Sequence, residues 1–245
     1  MTHVTNVNGN TPKKIFRGKI VEIFNYPYIV SVQYADFHMC GGTIISSTHI
    51  LTTASCLLAE KNVVHANLEI LTGTNDLQRR DTISTWKIYK VAFVIIHNEY
   101  DPRNYWVNDI AILKLESRLL LDHDRVAATV SPESRSCKLF IVGWGINPVT
   151  GIMSRHLQRL DVESIRNNMC QYKFDSQQVL YRNQFCFIPK KKEARVTNGG
   201  AGSPVMYYRQ IVGIISLISV NPKHPVIYTR TRQYNYWIEE MINKM

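Results

Sequence analysis

Eight short β-rich runs separated by turn residues most constrain what this chain can fold into: 28–33, 42–45, 68–73, 87–94, 110–115, 139–142, 211–218 and 226–229. Their β-branched and aromatic residues suit pleated, half-buried surfaces, and no helical period fills the intervals between them. Such spacing predicts an all-β barrel or sandwich. The tail is the exception, because Trp237, Ile238, Met241 and Ile242 recur at helical spacing and make one apolar face. A weaker helical turn is expected around 164–172. The coarse architecture is therefore a β protein closed by one C-terminal helix.

A chain of 245 residues buries roughly 70–75% of its unfolded surface, and all-β chains of this length often form one structural unit. Internal repeats and low-complexity segments are absent. The longest apolar stretch, Ile211 to Val220, is interrupted by Gly213, Ser216 and Ser219. It falls short of the roughly 20 residues a membrane helix needs, so it reads as a buried strand and no membrane partner is expected. The first fourteen residues are polar and lack the apolar centre of a signal peptide, which leaves the sequence silent about export.

Five cysteines stand at 40, 56, 137, 170 and 186 with no C-x-x-C pair. That argues against a zinc site or a thioredoxin-type motif, and neither a metal nor a cofactor is expected. The odd count leaves at least one thiol without an intrachain partner. A net charge of +10, from 29 basic and 19 acidic residues, biases the chain toward acidic surfaces, glycosaminoglycans or nucleic acid, and serves solubility equally well.

From Cys40 to Cys56 the chain reads C-G-G-T-I-I-S-S-T-H-I-L-T-T-A-S-C, and Asn108 to Leu115 reads N-D-I-A-I-L-K-L. G-W-G follows at 143–145, then Y-T-R at 228–230, leading into Tyr236-Trp237-Ile238. In this order and spacing the segments closely resemble chymotrypsin- and trypsin-like serine proteases over Ile15 to Met245. The resemblance implies two Greek-key six-stranded β-barrels, roughly 15–125 and 126–232, followed by a C-terminal helix at 233–245, with a cleft between the barrels. Residues 1–14 would then be a pro-segment or an extension.

The family's chemistry needs a serine nucleophile, a histidine to take its proton and an aspartate to fix the imidazole. Asp109 matches the aspartate, whereas Ser55 stands at the histidine's place. A serine hydroxyl is too weak a base near neutral pH to replace imidazole. The segment matching G-D-S-G-G-P is Gly199-Gly200-Ala201-Gly202-Ser203-Pro204, which puts Ala201 at the nucleophile's place, and a methyl group cannot form an acyl-enzyme. Ser203 reads as a loop residue replacing glycine. The chain is therefore expected not to be an enzyme.

Gly200 replaces the family aspartate that receives the ammonium of the newly cut N-terminus. That terminus corresponds to Ile15, after Lys13-Lys14. Burying an ammonium without its carboxylate costs several kcal/mol, so Ile15 is not expected to insert as a charged terminus. His38 matches a family histidine near that site and reads as a hydrogen-bonded structural residue. Arg195 falls at the floor of the specificity pocket, where trypsin-like members carry aspartate. Ile218 and Val226 replace wall glycines and should fill the pocket, although a reshaped pocket for small residues is the alternative.

The resemblance also pairs Cys40 with Cys56 and Cys170 with Cys186, implying an oxidising, extracellular setting. Cys137 matches a family cysteine whose partner position holds Tyr207, so it is either buried and inert or bonded to another chain. Another family bridge is missing, with Thr197 and a residue near Val220 in its place.

A protease fold without catalysis directs function to surface recognition. The Ser-for-His and Ala-for-Ser combination resembles the inactivated serine protease paralogues of the scabies mite, relatives of the mite group 3 allergens. That resemblance implies a secreted protein that binds host complement components and inhibits complement activation. The alternative is a polyanion-binding protein resembling azurocidin, with Lys190, Lys191, Lys192 and Arg195 as one basic cluster and Arg79 with Arg80 as another. No specific nucleic acid is expected as a partner.

Overall fold

The computed structural model describes residues 17–58, 63–79, 85–131, 138–173, 180–219, 221 and 223–244. The first strand, β1 (Lys19–Ile20), is followed by β2 (Ile29–Tyr34), β3 (Phe37–Ile44), β4 (His49–Thr52), β5 (Leu68–Thr72), β6 (Lys87–Ile96) and β7 (Ala111–Leu115). Strands β2 to β7 close into an antiparallel barrel in the order β2-β3-β4-β7-β6-β5. Val30, Val32, Ile44, Ile50, Ile70 and Leu113 fill its interior without solvent exposure. Burying an aliphatic side chain of this size contributes about 1.5–3 kcal/mol.

The second half contains β8 (Thr129–Val130), β9 (Leu139–Gly143), β10 (Gln158–Ile165), α1 (Asn167–Lys173), β11 (Gln184–Pro189), β12 (Pro204–Tyr207), β13 (Gln210–Leu217) and β14 (Val226–Arg230). Here β10, β11, β14, β13, β12 and β9 are paired in that order, and β9 pairs back onto β10 to close a second barrel. A short 3-10 turn at Thr231–Tyr234 leads into the helix α2 (Asn235–Lys244). Both six-stranded barrels and the C-terminal helix are as the sequence implied.

A third core joins the halves. Tyr28, Leu51, Ile110 and Ile112 of the first half meet Phe140, Val142, Trp144 and Ile214 of the second, and α2 adds Ile238. The helix rests Trp237, Met241 and Ile242 on the same cluster, which accounts for the helical apolar period in the tail. Lys19 and Ile20 pair with Arg159 and Gln158 of β10, so β1 is stitched to the second barrel. The helical turn expected at 164–172 is displaced, because β10 continues to Ile165 and α1 begins at Asn167.

Two disulfides tie a loop and the helix α1 to strands β3 and β11. Cys40 bonds Cys56 and Cys170 bonds Cys186, with Cα separations of 6.2 and 6.1 Å, both as the resemblance implied. Cys137 and Ile15 lie outside the described residues, as do Arg80 and Val220.

Candidate functional site

The cleft between the barrels is built from four pieces of chain: the loop after β4 carrying Ser55, the residues before β7 carrying Asp109, the end of β13, and the loop that leads into β12. Asp109 has no solvent exposure. Its Oδ1 accepts the Ser55 backbone N–H at 2.7 Å, and its Oδ2 accepts the hydroxyls of Ser55 at 2.8 Å and Ser216 at 2.5 Å. The Ala54 backbone adds a further hydrogen bond. Burial outweighs these hydrogen bonds and holds the Asp109 carboxyl above its ordinary range.

Ser216 reaches Asp109 because of a register break. Ile215 pairs with Tyr228 and Leu217 with Ile227, leaving Ser216 as the extra residue of a bulge. Bulges re-aim side chains in this way. No role for Ser216 is legible from sequence, where its signal, a lone hydroxyl in an apolar strand, is weak.

None of the seven histidines in the described residues hydrogen-bonds Asp109. His38 bonds Ser31 and Gly199, His49 bonds Ser46 and Thr48, and His224 bonds Ser219 and Asn221. His97 packs its ring on Tyr234 and Trp237, His65 on Tyr34, His123 lies against Asp124 and His156 bridges Asp76. In this hydroxyl–carboxylate–hydroxyl cluster no imidazole stands between the Asp109 carboxyl and a hydroxyl.

Across the cleft, Ala201 is half-buried against the cluster that includes Cys40, Ala54 and Cys56, and its carbonyl accepts the Gly41 N–H at 2.8 Å. The structure thus brings Ala201 into the neighbourhood of Ser55. Ser203 points elsewhere. It is 2% exposed, its Oγ has no hydrogen-bond partner, and a Cβ placed on Gly41 or Gly143 would meet that Oγ at 2.2 or 2.3 Å. Ser203 is therefore packed in the seam between the barrels.

Gly200 is buried, and a Cβ there would stand 2.9 Å from Val196 Cγ1 and 3.0 Å from the Thr197 carbonyl oxygen. The loop has closed over the place of a larger side chain. Its neighbour Gly199 has φ +88°, a conformation suited to glycine, and its carbonyl accepts a hydrogen bond from His38 Nε2 at 2.9 Å. Because Nε2 donates, Nδ1 of a neutral ring accepts from the Ser31 hydroxyl at 2.8 Å. Burial pulls His38 down to about 4, so the ring stays neutral as a structural tether.

The specificity region departs from the expected closure. Ile218 and Val226 border a cavity of about 240 Å³ that also includes Thr197, Asn198 and His224. Arg195 lines it too, but is exposed rather than buried at a floor. Branched side chains reshape this space without filling it, since Val226 is buried within the second barrel's core and Ile218 packs only partly against it. The loop lysines 190, 191 and 192 are exposed, whereas Arg79 lies over the Trp86 ring at 5.4 Å and pairs with Asp36.

Residues 15–238 match the family model described as Trypsin. The chain is 28% identical to Trypsin of Phaedon cochleariae, over 96% of this chain and 90% of that protein. It is also 28% identical to Trypsin Tyr p 3.0101 of Tyrophagus putrescentiae, over 87% of this chain and 75% of that one. Among solved structures, neuropsin, a serine protease expressed in the limbic system of mouse brain, superposes with a TM-score of 0.79. The overlap covers 92% of this chain and 99% of neuropsin at 20% identity, a likeness of fold.

Proposed function

The chain belongs to the trypsin family of chymotrypsin-like serine proteases, and from that membership we propose that it is a catalytically inactive member that acts by binding a protein. The observation that carries this reading is the Asp109 carboxylate, whose acceptors are taken by Ser55 and Ser216 where the family mechanism needs an imidazole. The Ala201 methyl opposite supplies no nucleophile. In a serine protease of unrelated fold, losing the serine or the histidine alone removes about 10⁶ in turnover.

The test is exposure of the purified chain to a fluorophosphonate probe and to peptide ester and amide substrates. Neither labelling nor turnover is expected, and labelling that disappears in Ser203→Ala would overturn the proposal. Restoring Ser55→His with Ala201→Ser is expected to leave hydrolysis at background, because Gly200 and its closed surroundings remain. Appreciable turnover by that double variant would refute the wider loss.

The finer reading is a secreted relative of the scabies mite inactivated paralogues that binds host complement components and inhibits complement activation. Its support is the Ser55 and Ala201 combination, the two disulfides, which suit an oxidising compartment, and the likeness to the Tyrophagus trypsin. The exposed run Lys190 to Lys192, with Arg195 nearby in sequence, favours a second reading as a polyanion binder. Salt-resistant capture of complement proteins from serum supports the first; salt-labile retention on heparin that is lost on charge reversal at Lys190 and Lys191 supports the second.

A further inference from the structure

A second concavity lies away from Asp109, where the turn before β2 meets β9, β10 and the tip of the β12–β13 hairpin. Its volume is about 970 Å³, at the upper end of the roughly 300–1,000 Å³ typical of ligand sites. Lys138, Arg159 and Arg209 line it, and among the described residues no carboxylate does. Its remaining wall is largely aromatic, with Tyr26 and Phe140 buried and Tyr208 exposed.

The floor is held in place. Arg159 donates to the Tyr26 hydroxyl at 3.0 Å and to Asp161 at 2.8 Å, and its guanidinium lies 4.1 Å from the Phe140 ring centroid. That fixes a cation over an aromatic face. The rim has the opposite character. Tyr207 pairs with Gln210, so Tyr208 and Arg209 form a two-residue turn, in which the first position favours glycine or asparagine. Tyr208 sits there at φ +52° and 68% exposed, and its ring meets Tyr207 edge-on at 4.6 Å. A bulky residue in the left-handed region is strained, and strain of this sort gathers at sites that use it.

We propose that this groove is a docking site for an acidic segment of a partner protein, whose carboxylates pair with Arg209 while an aromatic or aliphatic side chain packs on Tyr208. Charge complementarity selects the acidic character, and the guanidinium fork fits carboxylates in particular. The tyrosine and arginine lining selects a protein over a sulfated saccharide, because those residue types dominate the energetic centres of protein interfaces. The proposal rests on the reading that the chain works by binding, and it gives that binding a surface.

The experiment uses the whole chain and a fluorescein-labelled peptide alternating glutamate with tyrosine, followed by fluorescence polarisation. Arg209→Glu is expected to weaken binding about tenfold or more and Tyr208→Gly about fivefold. The same peptide with glutamine for glutamate should bind about tenfold more weakly, whereas Lys190→Glu with Lys191→Glu should change affinity less than about twofold. Equal binding of the glutamine peptide, no binding at about 1 mM, or a loss that follows Lys190 and Lys191 instead of Arg209 would overturn the groove. So would heparin binding that depends on Arg209 without any peptide binding. Serum capture unchanged by Arg209→Glu would sink the groove and leave the binding reading intact. Turnover of substrates would sink the inactive reading and leave the peptide result to stand on its own.

Discussion

The two walls of the cleft have fared differently. On the Asp109 side the polar chemistry is complete: a buried carboxylate keeps two hydroxyl donors and the Ser55 backbone N–H. On the facing loop it is depleted, with Gly200 and Ala201 at the expected polar places and Ser203 bearing an unpartnered hydroxyl. The contrast follows from burial. A carboxylate without solvent cannot lose its partners without a cost of several kcal/mol, so Ser55 takes up the hydrogen bond an imidazole would have made. The half-buried Ala201 position carries no such constraint, and its polar group can vanish with little effect on stability.

If the two walls are held by different groups, acid should act on them in opposite senses. His38, which tethers Gly199, is drawn from 6.5 to about 4 by burial. The unfolded chain therefore binds the proton first, and the stability present above pH 6.5 is lost as pH falls toward 4. The displacement corresponds to roughly 3 kcal/mol. Urea unfolding of the chain and of His38→Asn across that window should show the acid-side loss shrinking in the variant. His49, also drawn down to about 4 by burial and next by Lys114, keeps part of it. An unchanged acid limb in His38→Asn would mean that His38 is not the loop's tether.

The Asp109 wall should respond the other way. Its carboxyl is raised by burial above 3.8, so the folded state holds the proton longer and stability falls as pH rises from 3.8 through the folded value. Removing a donor should deepen that fall. Ser216→Ala is expected to cost about 2 kcal/mol at neutral pH, in the range of hydrogen bonds to charged groups. In an Asp109→Asn background the cost should drop below about 1 kcal/mol. Equal losses in the two backgrounds, measured by denaturant midpoint, would show that Ser216 is held by packing and not by the carboxylate.

How much of this was legible in the sequence depends on whether a feature is local. The β-rich runs and the tail's helical face are made of side chains near in sequence that pack into a core, so β2, β5, β6, β7, β9, β13, β14 and α2 were readable. β11 was missed because its buried residues include the polar Gln184, and β12 because it is short and opens on Pro204. The placement of Ser55 beside Asp109 and of Ala201 across the cleft was legible because both sit in segments whose neighbours resemble the family's. The cavity at Ile218 and Val226, the Ser216 bulge and the groove beside Arg159 were not, since each depends on register between strands distant in sequence. A bulge of one residue turns every following side chain to the other face, and nothing local marks it.

The smallest expected effect bears on the depleted wall. Ser203 is 2% exposed and its Oγ, unpartnered, is packed where Gly41 and Gly143 leave space. A buried hydroxyl without a partner costs about 1–3 kcal/mol, while the methyl of alanine fits the same space and has nothing to desolvate. Ser203→Ala should therefore stabilise the chain by about 1 kcal/mol, read as a raised denaturant midpoint with an unchanged slope. On the Asp109 side, Ser55→Ala should do the reverse, because its hydroxyl has a charged partner. If both serines destabilise on truncation, Ser203 is hydrogen-bonded in solution and the loop is not the depleted wall. If only Ser55 does, the difference between the walls is one of hydrogen-bond satisfaction, and Ser203 is a packing substitute for glycine, not a second nucleophile.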